Sequence, residues 1–430
     1  MTTYWCERAW LADGIASAVR IDVEDGRISA VVVDASVSGT VLSGLTLPGF
    51  ANGHSHAFHR ALRGRTHHER GTFWTWRERM YTLAARLDPD TYYRLARGVY
   101  AEMVLSGYTS VGEFHYLHHA PGGTPYAEPN AMGDALRRAA ADAGIRLTLL
   151  DTCYLAGGIG VAPDEVQQRF SDGSAEAWAH RVASLDEDEL FRVGAAIHSV
   201  RAVPAEQLSD VDSDRVVHVH LSEQRAENEQ CLAAYGATPT ELLYDRGVLS
   251  NRLVAVHATH LTRLDIERLG AARARACFCP TTERDLGDGI GPARALLDAG
   301  VRLCVGSDSN AVVDAFEETR ALELDDRLAS EQRGRFSAGE LLIAGTDHAA
   351  VGWPEVGALA VGAGADFVTV DLGSLRTAGI EPSGVVLAAS GADVRHVVVA
   401  GREVVRDGEH QLIERPETVL AKEIEALWQS

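Results

Sequence analysis

Val216-Val217-His218-Val219-His220-Leu221, Leu253-Val254-Ala255-Val256-His257 and Val301-Arg302-Leu303-Cys304-Val305-Gly306 share one texture. Each is a short apolar, largely β-branched run that stops at a polar or small residue, which is the signature of a strand buried on both faces. Working outward, the same texture recurs at Thr46–Phe50, Thr109–His115, Arg146–Tyr154, Arg192–His198 and Arg275–Cys279. That makes eight strand candidates. Ala-, Leu- and Arg-rich stretches such as Pro89–Ser106 and Asn130–Ala143 separate them and read as helices. Strand–helix alternation predicts a parallel sheet, and eight units predict closure into a (β/α)8 TIM-like barrel of the α/β class.

The ends of the chain differ from its middle. Ala18–Val23 and Arg27–Val33 flank Glu24-Asp25-Gly26, a hairpin pattern. Asp366–Val370 and Val397–Val405 are β-rich, and Asp407-Gly408 is a turn signal. The expected organisation is a barrel over 48–355 and a small β-sandwich domain built from 1–47 plus 356–430.

Composition narrows the classes. Of 430 residues, 46% are hydrophobic and 23% charged, enough to bury a large core. The formal net charge of −21 argues against nucleic acid or an anionic membrane as partner. An anionic substrate must then be drawn by local Arg residues, which can prevail because the global field decays over ~8 Å in physiological salt. Six scattered cysteines without a CxxC pair fit a reducing compartment. Met1–Asp13 lacks a signal-peptide pattern, and no run of ~20 apolar residues occurs, so the expected location is cytoplasmic.

Polar residues cluster where the strand candidates end. His54-Ser55-His56 follows Leu47-Pro48-Gly49-Phe50, and in extended chain residues i and i+2 face the same side, so both imidazoles can address one metal. Alone, the pair reads equally well as two loop histidines. His220 closes its strand and Glu223 follows three residues on, a spacing that also suits a helix-start carboxylate. His257 ends the next strand, and Asp308 follows the eighth, where a lone Asp is commonly a turn residue or helix cap. Together they occupy the carboxyl ends of barrel strands, the face on which barrel enzymes build active sites. A nitrogen and oxygen donor set suits Zn²⁺ or Fe²⁺.

This constellation resembles the amidohydrolase superfamily. The resemblance implies that His54, His56, His220 and Asp308 are metal ligands, and that His257 helps to polarise the reacting centre. Many members hold two metals bridged by a carbamylated lysine. The only lysine here is Lys422, far outside the barrel, so one divalent ion is expected, Zn²⁺ first and Fe²⁺ as the alternative. A second ion would need an acid such as Glu113. The HxxE spacing resembles the deaminase branch, in which Glu223 would shuttle protons and Asp308 would take the proton of the attacking water.

Longer motifs go further. Phe73-Trp74-Thr75-Trp76-Arg77-Glu78, Glu113-Phe114-His115-Tyr116-Leu117-His118-His119, His198-Ser199-Val200-Arg201-Ala202-Val203 and Thr281-Thr282-Glu283 through Leu286-Gly287-Asp288-Gly289 are similar to formimidoylglutamate deiminases, enzymes of histidine breakdown. That resemblance implies a small dianionic substrate bound by Arg77 and Arg201 with Tyr116 and His198, and a homodimer. His59 stands where that family more often has Gln, and it is assigned to the substrate side. Trp74 and Trp76 read either as covers over the substrate or as packing anchors. His67-His68 and His118-His119 read as loop and supporting residues, and Cys277 and Cys279 as core thiols. Two other readings remain: a deaminase of a neutral heterocycle, which needs no arginine pair, and a scaffold without activity, which would be free to lose the ligands present here.

Overall fold

A computed structural model describes residues 1–66, 73–211 and 214–429, and the backbone alone at 73 and 74. Eight strands hydrogen-bond in chain order: Phe50–Ser55, Tyr108–His115, Arg146–Cys153, Phe191–Ile197, Val217–Leu221, Leu253–His257, Arg275–Phe278 and Arg302–Val305. Every neighbouring pair is parallel. The first and eighth strands meet beyond their ends, where the Asp308 N–H donates to the His54 carbonyl and the His56 N–H to the Asp308 carbonyl, both at 2.9 Å. Gly306 permits this approach, since a Cβ there would lie 2.7 Å from the His54 backbone. The sheet thus wraps into a (β/α)8 barrel.

Local chemistry places the helices. Asp88 caps Pro89–Leu105 by accepting from Thr91 N at 2.8 Å, with proline at the first helical position. Ala131–Ala143 stops at Gly144, whose left-handed φ of 73° suits a residue without Cβ.

The expected first strand, Thr46–Phe50, straddles two strands. Thr40–Pro48 belongs to a second sheet, and the barrel strand begins at Phe50. Both strands are buried at this junction, so hydrophobicity alone carries no boundary between them. The first histidine pair therefore lies on the barrel strand and its edge, not in a loop after it.

The second sheet has eight strands in one ladder, drawn from both ends of the chain. Thr40–Pro48 is the junction. It pairs parallel with Thr2–Leu11 and antiparallel with Phe367–Val370. The hairpin of Gly14–Glu24 and Arg27–Val32 turns at Asp25-Gly26, both at positive φ. Tyr4, Cys6, Val19, Ile21, Leu42 and Phe367 form its own apolar core. A buried bidentate pair, Arg146 to Asp366 at 2.9 and 3.0 Å, ties this sheet to the barrel. The final helix, Pro416–Gln429, leaves the sheet and packs on Pro89–Leu105, and Trp428 Nε1 donates to the Ala61 carbonyl at 2.9 Å. It thereby braces the turn Ala57–Leu62 just past His56. Among the described residues, no helix is long and apolar enough to cross a membrane.

Candidate active site

The carboxyl ends of the barrel strands surround one cavity that opens to solvent. Its floor is a four-residue cluster. His54 Nε2 lies 3.2 Å from His56 Nε2 and 3.1 Å from His220 Nε2, and both His54 and His56 lie 3.4 Å from Asp308 Oδ1. All four residues are buried. His54 sits beneath the cavity surface, and the other three line it.

Hydrogen bonds to the backbone set the imidazole tautomers. His56 Nδ1–H donates to the Phe114 carbonyl and His220 Nδ1–H to the His198 carbonyl, each at 2.9 Å. Each Nε2 is then a bare lone pair. Two such lone pairs crowd His54 Nε2, which can offer a proton to only one of them. A divalent cation resolves the conflict. Bonds of 2.0–2.1 Å in tetrahedral geometry put ligands about 3.4 Å apart, close to the separations here. The donor set therefore fits one such ion.

The electrostatics agree. Burial lowers His54 to about 3 and His56 to about 4, and holds His220 well below its ordinary value, so all three are neutral, as metal binding would require. Burial works to raise Asp308, but its hydrogen bond to His54 and the surrounding imidazoles outweigh it and keep the carboxylate ionised.

The backbone is strained around this cluster. Ser222, His257, Ala258, Asp308 and Asn310 all have φ between 41° and 66°, at the ends of the fifth, sixth and eighth strands. Non-glycine residues take this region at a cost of about 1–3 kcal/mol each, and keep it only where neighbours over-determine it. Here Asn52 Oδ1 accepts from Ser307 N at 3.0 Å, its Nδ2 donates to Ser307 Oγ at 2.7 Å, and Asn310 Nδ2 donates to the His56 carbonyl at 3.0 Å.

Three carboxylates frame His257. Its Nε2 lies 3.9 Å from Glu223 Oε1 and 3.9 Å from Asp308 Oδ2, and its Nδ1 lies 3.4 Å from Glu283 Oε1. Burial alone would lower His257, but Glu223, Glu283 and Asp308 outweigh it and push it up to about 10. Glu283 also accepts from Cys279 N at 2.8 Å, so the helix start Pro280–Leu286 and the His257 ring share one carboxylate. Glu283 stands in the Thr281-Thr282-Glu283 motif quoted above, but its contact with His257 was not anticipated.

The same cavity gathers the residues assigned to the substrate. Arg77, Tyr116, His198, Arg201 and His59 all line it. Arg77 Nε donates to Tyr81 Oη at 2.8 Å, and His59 Nε2 lies 3.0 Å from Tyr116 Oη. Arg201 Nε is buried with no hydrogen-bond partner, and Arg201 forms no ion pair among the described residues. Arg77 and Arg201 also line an outer cavity that the metal-type cluster does not reach, so they stand where the two spaces meet. Trp76 lines the inner cavity, 5.1 Å from the His59 ring.

Other candidates lie elsewhere. His118 Nε2 bonds to the Thr152 carbonyl at 2.9 Å and His119 Nε2 to Asp172 at 3.1 Å. His115, His118 and Asp151 bring donor atoms together, yet Asp151 already accepts from Arg181 at 2.8 and 2.9 Å and from Trp178 Nε1 at 2.9 Å. These residues buttress the second strand from behind and do not line the cavity. Glu113 accepts from Ala57 N at 2.6 Å, and burial raises it to about 8. Cys277 and Cys279 are fully buried thiols. His67-His68 and the Trp74 side chain lie outside the described residues.

Comparison with known proteins matches residues 45–404 to the amidohydrolase family. The chain belongs to that family. This amidohydrolase is 38% identical to the formimidoylglutamate deiminase of Pseudomonas aeruginosa, over 96% of its own length and 97% of the relative's. An amidohydrolase structure from Brucella melitensis superposes with a TM-score of 0.91 at 33% identity, covering all of both chains. A zinc complex of atrazine chlorohydrolase TrzN from Arthrobacter aurescens gives 0.87 at 25% identity, covering 99% of this chain and all of that one.

Proposed function

We propose that this amidohydrolase converts N-formimidoyl-L-glutamate and water into N-formyl-L-glutamate and ammonia, a step of histidine breakdown. It is a hydrolase of a non-peptide C–N bond. One observation carries the substrate assignment. Arg77 and Arg201 share a cavity with the His54, His56, His220 and Asp308 cluster and with Glu223. A dicarboxylate needs cationic partners, and the planar guanidinium matches a carboxylate with two parallel N–H groups. The formimidoylglutamate deiminase of Pseudomonas aeruginosa, alike over nearly its whole length, supports the same reading.

His54, His56, His220 and Asp308 would hold one divalent ion, with Zn²⁺ favoured. When bound, such an ion lowers the pKa of water from 15.7 toward ~7, so that hydroxide is available near neutral pH. Asp308 accepts the proton that water loses as its oxygen bonds to the formimidoyl carbon. The C=N π electrons move to the imino nitrogen. His257, turned by Glu283 so that Nε2 faces the cavity, steadies the charge that develops. Glu223, in its acid form, delivers a proton to the imino nitrogen. Its carboxylate then takes the hydroxyl proton of the tetrahedral carbon and passes it to the same nitrogen, so the carbonyl forms as the C–N bond breaks and NH3 leaves. The proton held by Asp308 returns to Glu223. Arg77 and Arg201 hold the two carboxylates, with Tyr116, His198 and His59 completing the wall. A cytoplasmic homodimer is part of this reading. Six free, buried cysteines suit a reducing compartment, and the charge of −21 disfavours nucleic-acid and membrane partners.

Ammonia release across a substrate panel tests the proposal. Turnover is expected with N-formimidoyl-L-glutamate and not with uncharged purines, pyrimidines or triazines. Turnover of a neutral heterocycle alone would overturn the substrate and keep the chemistry. No turnover by the metal-loaded protein on any amidine or heterocycle would favour a scaffold.

A further inference from the structure

Two cavity-lining tyrosines share a hydrogen-bonding hub that the mechanism leaves unused. Gln167 is 2% exposed and belongs to the short turn Gln167–Phe170. Its Oε1 accepts from Asp164 N at 2.9 Å, and its own backbone N–H donates to Asp164 Oδ1 at 2.8 Å. This pairing fixes which end of the amide is which. Nε2 therefore faces the other way and donates to Tyr81 Oη at 3.0 Å and to Tyr154 Oη at 2.9 Å. Tyr81 Oη also accepts from Arg77 Nε at 2.8 Å.

A phenol oxygen has two lone pairs and one proton. Both lone pairs of Tyr81 are taken, by Gln167 and Arg77. Its proton can go either to the cavity or to the remaining lone pair of Tyr154. In the second case both lone pairs of Tyr154 are filled, and the Tyr154 proton is the one left over. In the first case the Tyr154 proton has no acceptor in the hub either, so at least one O–H leaves it without an acceptor among the described residues. Both tyrosines line the catalytic cavity beside Arg77.

We propose that Tyr81 and Tyr154, set by Gln167, present one hydroxyl donor to the substrate carboxylate that Arg77 grips. Tyr81 and Tyr154 are then substrate-binding residues, and Gln167 is a positioning residue. The assignment rests on the dicarboxylate reading above and deepens it. A carboxylate offers lone pairs to a two-pronged guanidinium and to a further O–H, whereas a neutral heterocycle gives the hub no anionic acceptor.

The test compares Tyr81→Phe, Tyr154→Phe and the double variant, each checked by thermal melting and metal content. Either hydroxyl can supply the proton, so the double variant should lose more than the product of the single losses. Hydrogen bonds to charged groups support an expected rise in KM of about 10- to 100-fold for the double variant on N-formimidoyl-L-glutamate, with kcat within a few-fold. On a substrate lacking the carboxylate held by Arg77, the difference between double variant and wild type should vanish. A double variant with wild-type KM overturns the proposal, as does a loss equally large on the truncated substrate. Gln167→Met, which keeps both hydroxyls and frees them, should fall between wild type and the double variant. If the wild type ignores N-formimidoyl-L-glutamate, the functional reading fails and calorimetric binding of glutarate decides. Wild-type binding at least tenfold tighter than the double variant upholds the hydroxyl donor. Equal or absent binding removes it.

Discussion

Arg201→Ala isolates what one guanidinium does in this cavity. Most arginines of the chain have carboxylate partners, so truncating them would orphan a protein group. Arg201 has no ion pair among the described residues, and its buried Nε has no hydrogen-bond partner. The nearby carboxyl of Glu227 is raised to about 7, chiefly by burial, with Arg201 opposing that rise. Losing Arg201 lets Glu227 climb further and take up a proton, which leaves no bare buried charge. Stability should therefore hold, and the cost should fall on the substrate. A desolvated carboxylate that loses its partner costs ~2–5 kcal/mol, or roughly 30- to 5,000-fold in kcat/KM, since 1.4 kcal/mol is about tenfold. Steady-state ammonia release on N-formimidoyl-L-glutamate measures this, with metal content and melting temperature as controls. Arg201→Lys keeps the charge without the fork and should lie between alanine and wild type. A substrate shorn of the matching carboxylate should hardly distinguish Arg201→Ala from wild type. Loss of less than about threefold on the full substrate would remove Arg201 from the substrate's partners, and the dicarboxylate reading would go with it.

Complete removal of metal should abolish turnover, and one equivalent of Zn²⁺ or Fe²⁺ per chain should restore it; elemental analysis giving two tightly held ions would contradict the four-donor cluster. Glu223→Gln should retain metal and bind substrate while losing ~10²–10⁴-fold in kcat, the usual contribution of an acid–base group; a variant within a few-fold of wild type would leave Glu223 as a helix-start carboxylate. Asp151 is held down to about 2, because Arg181 and the nearby histidines outweigh the opposing effect of burial. A depressed carboxylate stabilises the fold above its unfolded value of about 3.9 and loses that contribution as pH falls through its folded value. Arg181→Met should therefore destabilise at neutral pH by about 3–5 kcal/mol, the cost of leaving a buried charge unpaired. The wild-type advantage should shrink as pH drops from about 4 toward 2, and a melting difference that is flat across that window would refute the assignment.

The barrel was legible because its information is local. Leu253–His257 carries its strand in five consecutive apolar or terminal positions, and the helix Pro89–Leu105 announces itself through Asp88, Pro89 and Thr91. The metal-type cluster was legible for a related reason. Barrel geometry fixes where strand ends go, so a polar residue at the end of a recognised strand is already placed in space. The misplacement at Thr46–Phe50 marks the limit of that logic. Two buried strands run head to tail through Pro48-Gly49, and an apolar run does not record which sheet it joins. The role of Glu283, and Gln167 altogether, were hidden for a different reason. Glu283 reads as an ordinary residue in the first turn of a helix, and it meets His257 only because the sixth and seventh strands are neighbours. Gln167 lies 86 residues from Tyr81 and 13 from Tyr154, in a turn with no strand periodicity at all. Its importance depends on the orientation of one amide, which a neighbouring Asp164 settles through the backbone. Residues that contact a reacting centre sit at the ends of regular elements and can be read from pattern. Residues that aim those side chains work through single hydrogen bonds between distant loops. Substitution at Gln167 should therefore weaken formimidoylglutamate recognition, by less than loss of both hydroxyls, at a position where the sequence carries no warning.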